Sequence, residues 1–249
     1  MHKKVLIIGG SDPSCGAGIQ ADLAVIYSLK IPCACVITAL TAQNENKFYS
    51  FQSATTKNFQ DQLESISIKP KNLIVKIGML ANAELVTVLL HWLKKNAPAF
   101  VILDPVFRSS TGFDLLNKTG IELLQKNSAC FDLMTPNVEE FETLSGFPIK
   151  NEKDYLEKAV AWQRQILKQN PNFNLLIKGG HLKESANDYW ISSEEVFKFK
   201  GKRILKNKET HGTGCSLASF IAAYLAKGKN LKSAVVLAKK EVLKKIHHS

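Results

Sequence analysis

The stretch Thr210-His211-Gly212-Thr213-Gly214-Cys215-Ser216 leads directly into an apolar run, Leu217 to Ala226, that has the spacing of a helix. The first N–H groups of a helix have no partner within the helix, and its N-terminus carries roughly half a positive charge. Glycine lets those N–H groups approach a ligand oxygen closely. The stretch therefore indicates an anion site that contains Cys215, and the alternative is a glycine-containing turn capped by Thr213.

Along the chain, short apolar runs rich in β-branched residues alternate with helical patterns. Strands are predicted at 5–8, 33–40, 75–77, 100–103, 133–135 and 174–177, with short strands within 188–205. Helices are predicted at 19–29, 81–95, 153–169, 213–227 and 231–246, with another after Asn137. This alternation indicates an α/β fold with a mostly parallel central sheet and helices on both faces. No linker or change of composition divides residues 1–249, so one domain is expected.

The chain is basic, with a net charge of +11, but all except three of its 33 basic residues are lysine. Proteins that read nucleic acids usually combine clustered basic residues with arginine forks or stacking aromatics, so we expect no nucleic-acid partner. The five cysteines show no zinc-binding spacing and indicate a reducing compartment. The apolar run after the N-terminus is too short for a signal peptide and no run reaches membrane-spanning length, so a cytoplasmic protein without a membrane partner is expected.

Polar side chains follow the predicted strands at the points where these end. They are Asp12, Gln43, Asp104, Asn137 and Lys178. In open α/β sheets, ligands bind in the crevice beyond the carboxyl ends of the strands. One site could therefore collect these side chains together with the turn at 212–215, although strand-end loops are polar in many α/β proteins.

Each candidate residue has a functional and a structural interpretation. Asp104 and Glu140 could hold Mg²⁺ together with phosphate oxygens and water, or they could cap a turn and a helix start. Lys178, next to two glycines, suits a contact to phosphate, although an exposed lysine is the usual alternative. Cys215 at a helix N-terminus would have a lowered pKa and could accept a proton, but cysteine is also a common small buried residue. His181 and His211 lack triad partners, and structural roles are expected for both.

Two common nucleotide motifs are not supported. Gly16-Ala17-Gly18-Ile19-Gln20-Ala21 fits the dinucleotide fingerprint only loosely, because six residues separate it from Gly10 and no acidic residue ends the second strand. The P-loop pattern ending in Gly-Lys-Ser/Thr is absent from the sequence. A nicotinamide enzyme and a P-loop ATPase are therefore not expected.

Eight motifs occur in the order found in one family. They are Gly10-Ser11-Asp12-Pro13-Ser14, Gly16-Ala17-Gly18-Ile19-Gln20-Ala21-Asp22-Leu23, Val36-Ile37-Thr38-Ala39-Leu40-Thr41-Ala42-Gln43-Asn44, Lys76-Ile77-Gly78-Met79-Leu80, Leu103-Asp104-Pro105-Val106, Thr135-Pro136-Asn137-Val138-Glu139-Glu140, Lys178-Gly179-Gly180-His181 and His211-Gly212-Thr213-Gly214-Cys215. In these motifs the chain resembles the hydroxymethylpyrimidine/phosphomethylpyrimidine kinases of the ribokinase-like superfamily, from about residue 5 to about residue 245. Cys15 departs from the pattern, since family members usually have glycine there.

The resemblance implies a ribokinase-like three-layer sandwich and ATP-dependent phosphorylation of 4-amino-5-hydroxymethyl-2-methylpyrimidine and of its monophosphate. It implies that ATP and Mg²⁺ are the cofactors and that the enzyme is a homodimer. By the same resemblance, Asp22 and Gln43 hold the pyrimidine, with Gly10, Met79 and Val106 lining the pocket. The catalytic set is Cys215 as base with Gly212, Thr213 and Gly214, whose backbone stabilises the transferring phosphoryl group. Lys178, Asn137 and Thr210 would contact ATP, and Asp104 and Glu140 would hold the metal.

Two alternatives remain open at this point. A pyridoxal kinase of the same fold is the nearest enzyme rival, because its substrate also presents a hydroxymethyl group on an aromatic ring. A non-catalytic binder of the pyrimidine is the rival from another class. Binding of the pyrimidine without ATP turnover would identify the binder.

Overall fold

The computed structural model describes residues 3–44, 46–109, 111–180, 186–201 and 213–248, of which 213–215 and 246–248 are described by their backbone alone. Within these residues, nine strands form one continuous sheet. The strands are β1 (Lys4–Ser11), β2 (Cys33–Gln43), β3 (Phe48–Ser53), β4 (Leu73–Ile77), β5 (Phe100–Leu103), β6 (Leu133–Met134), β7 (Asn174–Ile177), β8 (Asp188–Ile191) and β9 (Val196–Phe199). The helices are α1 (Gly18–Ser28), α2 (Thr56–Glu64), α3 (Ala83–Asn96), α4 (Lys118–Lys126), α5 (Val138–Ser145), α6 (Glu152–Leu167), α7 (Thr213–Ala226) and α8 (Leu231–His248).

The sheet has the strand order β3-β2-β1-β4-β5-β6-β7-β8-β9. The six strands from β2 to β7 in this order are parallel, whereas β3, β8 and β9 are antiparallel to their neighbours. The chain leaves β1 for β2 on one side and later returns to β4 on the other side. The carboxyl ends of β1 and β4 therefore mark a topological switch point, where ligands bind in open α/β sheets.

Two hydrophobic layers cover the two faces of the sheet. One layer contains buried side chains of α2, α3, α4, α5 and α6. The other contains buried side chains of α1, α7 and α8. Residues along β4 alternate between the layers, with Val75 and Ile77 in the first and Ile74 in the second. The predicted three-layer α/β architecture with a mostly parallel sheet is confirmed.

The observed elements agree with the predicted ones at most positions and differ where the local pattern was weak. Strands β5 and β7 have the predicted bounds, while β1 continues past Ile8 through the two glycines to Ser11 because Gly9 and Gly10 still pair with β2. Strand β3 and helices α2 and α4 were not predicted. β3 is an antiparallel strand at the sheet edge with mostly exposed or half-buried residues, so it lacks a buried apolar run.

Candidate active site

The polar residues predicted to follow strands lie at the carboxyl edge of the parallel sheet. Asp12, Asp104 and Lys178 come directly after β1, β5 and β7, and Gln43 ends β2. Asn137 forms an isolated parallel bridge with Lys178, which places the two loops after β6 and β7 side by side. The fold therefore brings the predicted phosphate-binding and metal-binding residues to one edge.

Asp104 is the centre of a buried polar cluster. Its Oδ1 accepts hydrogen bonds from Thr135 Oγ1 at 2.8 Å and from Lys178 Nζ at 2.9 Å. Burial alone would raise the pKa of Asp104, but the ammonium groups of Lys178 and Lys76 outweigh it and hold that pKa below its ordinary value. Asp104 is therefore held as a carboxylate although it is 1% exposed.

Glu140 and Asn137 form a capping box at the start of α5. Asn137 Oδ1 accepts from the Glu140 N–H at 2.9 Å, and Glu140 Oε2 accepts from the Asn137 N–H at 2.7 Å. Glu140 Oε2 also lies 3.7 Å from Lys178 Nζ. Burial, assisted by the Asp104 charge, raises the pKa of Glu140 to about 7 against the opposing effect of Lys178. The structural interpretation of Glu140 at a helix start is thus observed, with Asn137 as the cap, and Glu140 lies at the same edge as Lys178.

The donor set at this edge fits magnesium chemistry. Magnesium takes oxygen ligands, uses one or two protein carboxylates and keeps several waters and substrate phosphates. Asp104 and Glu140 supply two carboxylates that share Lys178 as a neighbour. The described residues contain no group of three or more His, Cys, Asp or Glu that could enclose a metal by protein side chains alone.

The loop after β1 is organised by the Asp12 carboxylate. It accepts hydrogen bonds from the N–H and hydroxyl of Ser14 and from the Ala17 N–H at 2.8 Å. Gln20 completes the loop, since its Oε1 accepts from the Asp12 N–H at 2.9 Å. Asp12 thus stabilises the turn that leads into α1, and Cys15 within this turn is exposed with a φ of 60°.

Two predicted pocket residues are in direct contact. A Cβ atom on Gly10 would lie 2.8 Å from Met79 Sδ, so glycine is needed for the observed approach. Thr38 Oγ1 donates to the Met79 carbonyl at 2.7 Å and fixes the chain beyond β4. Val106 is half-buried two residues beyond Asp104, and Gln43 is half-buried at the end of β2.

Asp22 is held in place by two hydrogen bonds from inside the protein. Its Oδ2 accepts from Lys76 Nζ at 2.6 Å and its Oδ1 accepts from Ser219 Oγ at 2.6 Å. Asp22 and Lys76 are each 1% exposed. Burial raises the pKa of Asp22, and Lys76 and Ser219 oppose that effect. Lys76 and Ser219 were not among the predicted site residues, although a lysine within the otherwise apolar strand Leu73–Ile77 is a visible sequence signal.

The anion-site stretch is described only in part. The predicted helix is present as α7, which begins at Thr213, so Thr213, Gly214 and Cys215 form its first turn. Thr210, His211 and Gly212 lie outside the described residues, as does His181. α7 contacts α1, β1, β4 and β5. Since Ser219 of its second turn reaches Asp22 in the second turn of α1, the two helices begin at the same edge of the sheet.

Related proteins and solved structures are similar to this chain over nearly its whole length. A thiamine biosynthetic bifunctional enzyme of Arabidopsis thaliana is 37% identical over 243 residues, which are 96% of this chain and 45% of the plant protein. The hydroxymethylpyrimidine/phosphomethylpyrimidine kinase of Haemophilus influenzae is 35% identical over 99% of this chain and 91% of its own length. This chain thus spans about half the length of the plant relative.

The solved structures confirm the ribokinase-like fold. The phosphomethylpyrimidine kinase of Clostridium difficile superposes with a TM-score of 0.83 and 32% identity, over 98% of this chain and 99% of that one. The pyridoxal kinase of Staphylococcus aureus, solved with pyridoxal and with the ATP analogue AMP-PCP, gives a TM-score of 0.85 and 29% identity over 99% and 88% of the two chains. The model of the phosphomethylpyrimidine kinase family matches residues 12–249. With the motifs, the fold and the clustered strand-end residues in agreement, this chain belongs to the phosphomethylpyrimidine kinase family.

Proposed function

We propose that this protein transfers the γ-phosphoryl group of ATP to the hydroxymethyl oxygen of 4-amino-5-hydroxymethyl-2-methylpyrimidine and then phosphorylates the monophosphate, in thiamine biosynthesis or salvage. The observation that carries the proposal is the Asp104–Lys178–Glu140 cluster at the edge where α7 begins. A half-buried cation flanked by carboxylates, next to a helix N-terminus, suits a polyphosphate with a metal ion. Family membership indicates the kind of reaction.

The phosphate side of the site is assigned to three side chains and two metal ligands. Lys178 contacts the ATP phosphates, and Asn137 and Thr210 assist it. Asp104 and Glu140 hold Mg²⁺, which when bound supplies positive charge to the transferring phosphoryl group. The shared Lys178 neighbour keeps the Asp104 carboxylate ionised, as its lowered pKa indicates. The 2.9 Å contact between Lys178 and Asp104 also fixes the position of the ammonium group before ATP arrives.

The chemical step is assigned to the first turn of α7. The substrate hydroxyl oxygen forms a bond to the γ-phosphorus of ATP, the bond from this phosphorus to the bridging oxygen breaks, and ADP leaves. The hydroxyl proton passes to the Cys215 thiolate, the form of a cysteine that a helix N-terminus favours. The backbone N–H groups of Gly212, Thr213 and Gly214 stabilise the charge on the phosphoryl oxygens.

The pyrimidine pocket is assigned to Gly10, Met79, Val106 and Gln43. Contact between Gly10 and Met79 supports a shared wall, and the Gln43 amide offers a donor and an acceptor to an aminopyrimidine edge. Asp22 was predicted to share that role. That role stays a prediction for Asp22, both of whose oxygens also accept hydrogen bonds from inside the protein and which is 1% exposed.

Pyridoxal phosphorylation is the second candidate, favoured by the similarity to the S. aureus pyridoxal kinase. The two substrates share an aromatic ring with a hydroxymethyl group, so one pocket could accept both. We propose that the pyrimidine is preferred, because Gln43 and Met79 match the pyrimidine-kinase motifs. A pyrimidine binder without catalysis is disfavoured by the phosphate cluster.

The localisation, the oligomeric state and the partners are proposed from the resemblance to the family. We propose that the enzyme is a cytoplasmic homodimer whose partners are small molecules, with no nucleic acid and no membrane. In the described residues, no helix is long and apolar enough to cross a membrane. Leu40 and Tyr49 are 58% and 56% exposed on the β2–β3 pair, which supplies apolar surface for a second copy. Light scattering should give about twice the 27.6 kDa mass of the chain, and a monomer at micromolar concentration would contradict the dimer.

The test measures ADP formation by the purified protein with the pyrimidine alcohol, with its monophosphate and with pyridoxal. We expect turnover with both pyrimidines in preference to pyridoxal. Cys215→Ala should lower kcat by at least about 100-fold, the scale of losing a general base. The matched control is Cys35→Ser, which changes an exposed cysteine near the amino end of β2, at the edge of the sheet opposite to the proposed site. Turnover with pyridoxal alone would move the function to vitamin B6, and pyrimidine binding without turnover would exclude the kinase.

A further inference from the structure

Lys76 is a buried charge in the centre of the sheet that the proposed chemical step does not use. It is the fourth residue of β4, with Ile7 of β1 and Ile102 of β5 as its register partners. Every residue of β4 is buried. An ammonium in such a place is stable only when it is paired and hydrogen-bonded, so its partners indicate what it does.

The first partner of Lys76 is Asp22 of α1, at 2.6 Å from Nζ to Oδ2. The other oxygen of Asp22 accepts from Ser219 Oγ of α7 at 2.6 Å, and Ser219 is 0% exposed. These three side chains connect the carboxyl end of β4, the second turn of α1 and the second turn of α7. Lys76, Asp22 and Ser219 therefore form a buried polar network across the layer that is otherwise held by apolar side chains of α1 and α7.

This polar network lies next to the part of α7 to which the chemical step is assigned. Ser219 lies four residues after Cys215 on α7, so the two are stacked one helical turn apart on the same side of the helix. Apolar contacts do not fix the rotation or axial position of a helix as sharply as a hydrogen bond to a buried charge does. A helix that presents a proton acceptor must be held within about 0.5 Å of its productive position.

We propose that Lys76 is a positioning residue, which through Asp22 and Ser219 holds the first turn of α7 in register with the carboxyl ends of β4 and β5. This inference rests on the proposed function, since it takes that turn to be the site of phosphoryl transfer. The positive charge of Lys76 also helps to keep Asp104 ionised. It therefore links the helix side and the metal side of the site without touching the substrate.

The first test removes the neutral member of the polar network and leaves the Lys76–Asp22 ion pair in place. Ser219→Ala removes one hydroxyl, and kcat should fall about 10-fold, the scale of one hydrogen bond to a charged group. The KM values for ATP and for the pyrimidine should stay within about twofold, because ground-state binding groups are unchanged. The matched control is Ser128→Ala, another buried serine, which donates to the Leu124 and Gln125 carbonyls and lies before β6 at the amino edge. Its kcat should stay within about twofold of the parent.

The second test removes the charge pair without leaving a lone buried charge. The double variant Asp22→Asn/Lys76→Met keeps an oxygen that can accept from Ser219 but lacks the ammonium. Its kcat should fall at least as far as that of Ser219→Ala. The proposal would be overturned by a double variant with unchanged kcat, or by a Ser219→Ala protein in which KM rises and kcat does not change.

A third measurement does not depend on activity. Amide hydrogen exchange in the segment 213–226 should be faster in Ser219→Ala than in the parent and in Ser128→Ala, because the helix is less firmly held. Equal exchange in all three proteins would overturn the inference. If the parent protein shows no turnover with either pyrimidine, the proposed function fails, and the exchange result then decides whether Lys76 and Ser219 hold α7.

Discussion

At the scale of single residues, the adjacent glycines Gly9 and Gly10 differ in what surrounds them. A Cβ at Gly10 would meet Met79 Sδ at 2.8 Å, whereas a Cβ at Gly9 would lie at an ordinary 3.5 Å from Ile19 Cγ2. Gly10→Ala should therefore push Met79 into the proposed pocket and raise the KM for the pyrimidine about 10-fold, the lower range of overpacking effects. Gly9→Ala should change that KM by less than about twofold. Steady-state kinetics of the two variants checks this, and equal KM values would remove Met79 from the pocket.

Residue identities were predictable where the strand-end rule applied and less so elsewhere. Asp104 and Lys178 could be selected because they follow apolar runs, and the rule that ligands bind beyond strand ends needs no side-chain contacts. Lys76 and Ser219 were not predicted because both act through their contacts with Asp22. Asp22 is 54 positions from Lys76 and 197 positions from Ser219 in the sequence. A pairing over such separations depends on the tertiary fold, which the local sequence pattern does not contain.

At the scale of elements, the start of α5 couples a helix cap to a titrating group. Glu140 has a pKa of about 7 in the folded protein against an ordinary value of 4.5. The folded state therefore binds the proton more tightly than the unfolded state, and the stability from this group is present below pH 4.5 and lost as pH rises to about 7. A carboxamide at this position would keep an oxygen for the Asn137 N–H without that loss.

Glu140→Gln should accordingly gain stability relative to the parent as the pH rises from about 5 to about 7.5, by about 1–3 kcal/mol in the free energy of unfolding. Urea denaturation in EDTA, without nucleotide, measures this difference at each pH. Glu139→Gln, which removes an exposed carboxylate from the same turn, is the control for loss of one negative charge. Parallel stability profiles for the parent and Glu140→Gln would show that Glu140 does not titrate in this range.

Element prediction succeeded in proportion to how much apolar side chain each element buries. α7 buries nearly every described side chain from Ser216 to Ala226 and was predicted almost to its ends. β3 pairs only with β2 at the sheet edge, and α4 contains Gly120 and is short, so neither shows a long apolar pattern. β3 is stabilised by contacts that are distant in sequence, such as the stacking of Phe48 on Phe113 at 4.7 Å, and α4 packs against α3 and α5.

At the scale of the whole molecule, the fold class followed from the alternation of strands and helices, whereas the strand order did not. Alternation predicts a parallel sheet, but it does not say on which side of β1 the chain places β4. That choice creates the switch point between β1 and β4, where Lys76 pairs with Asp22 and Met79 approaches Gly10. The single-domain organisation stays a prediction, and one sheet that runs through the described residues supports it.

The net charge of +11 is a property of the whole molecule that should act on one substrate and spare the other. A positive protein field attracts the monophosphate of the pyrimidine before it reaches the site, and salt screens that field with a Debye length of about 10 Å at 0.1 M. Raising the ionic strength from about 0.02 to about 0.2 M at saturating ATP should therefore raise the KM of the monophosphate by about threefold. The KM of the uncharged alcohol should stay constant, which makes each protein sample its own control. If both KM values rise together, the salt acts on ATP or on the fold, and the excess of lysines has no role in capturing the phosphorylated substrate.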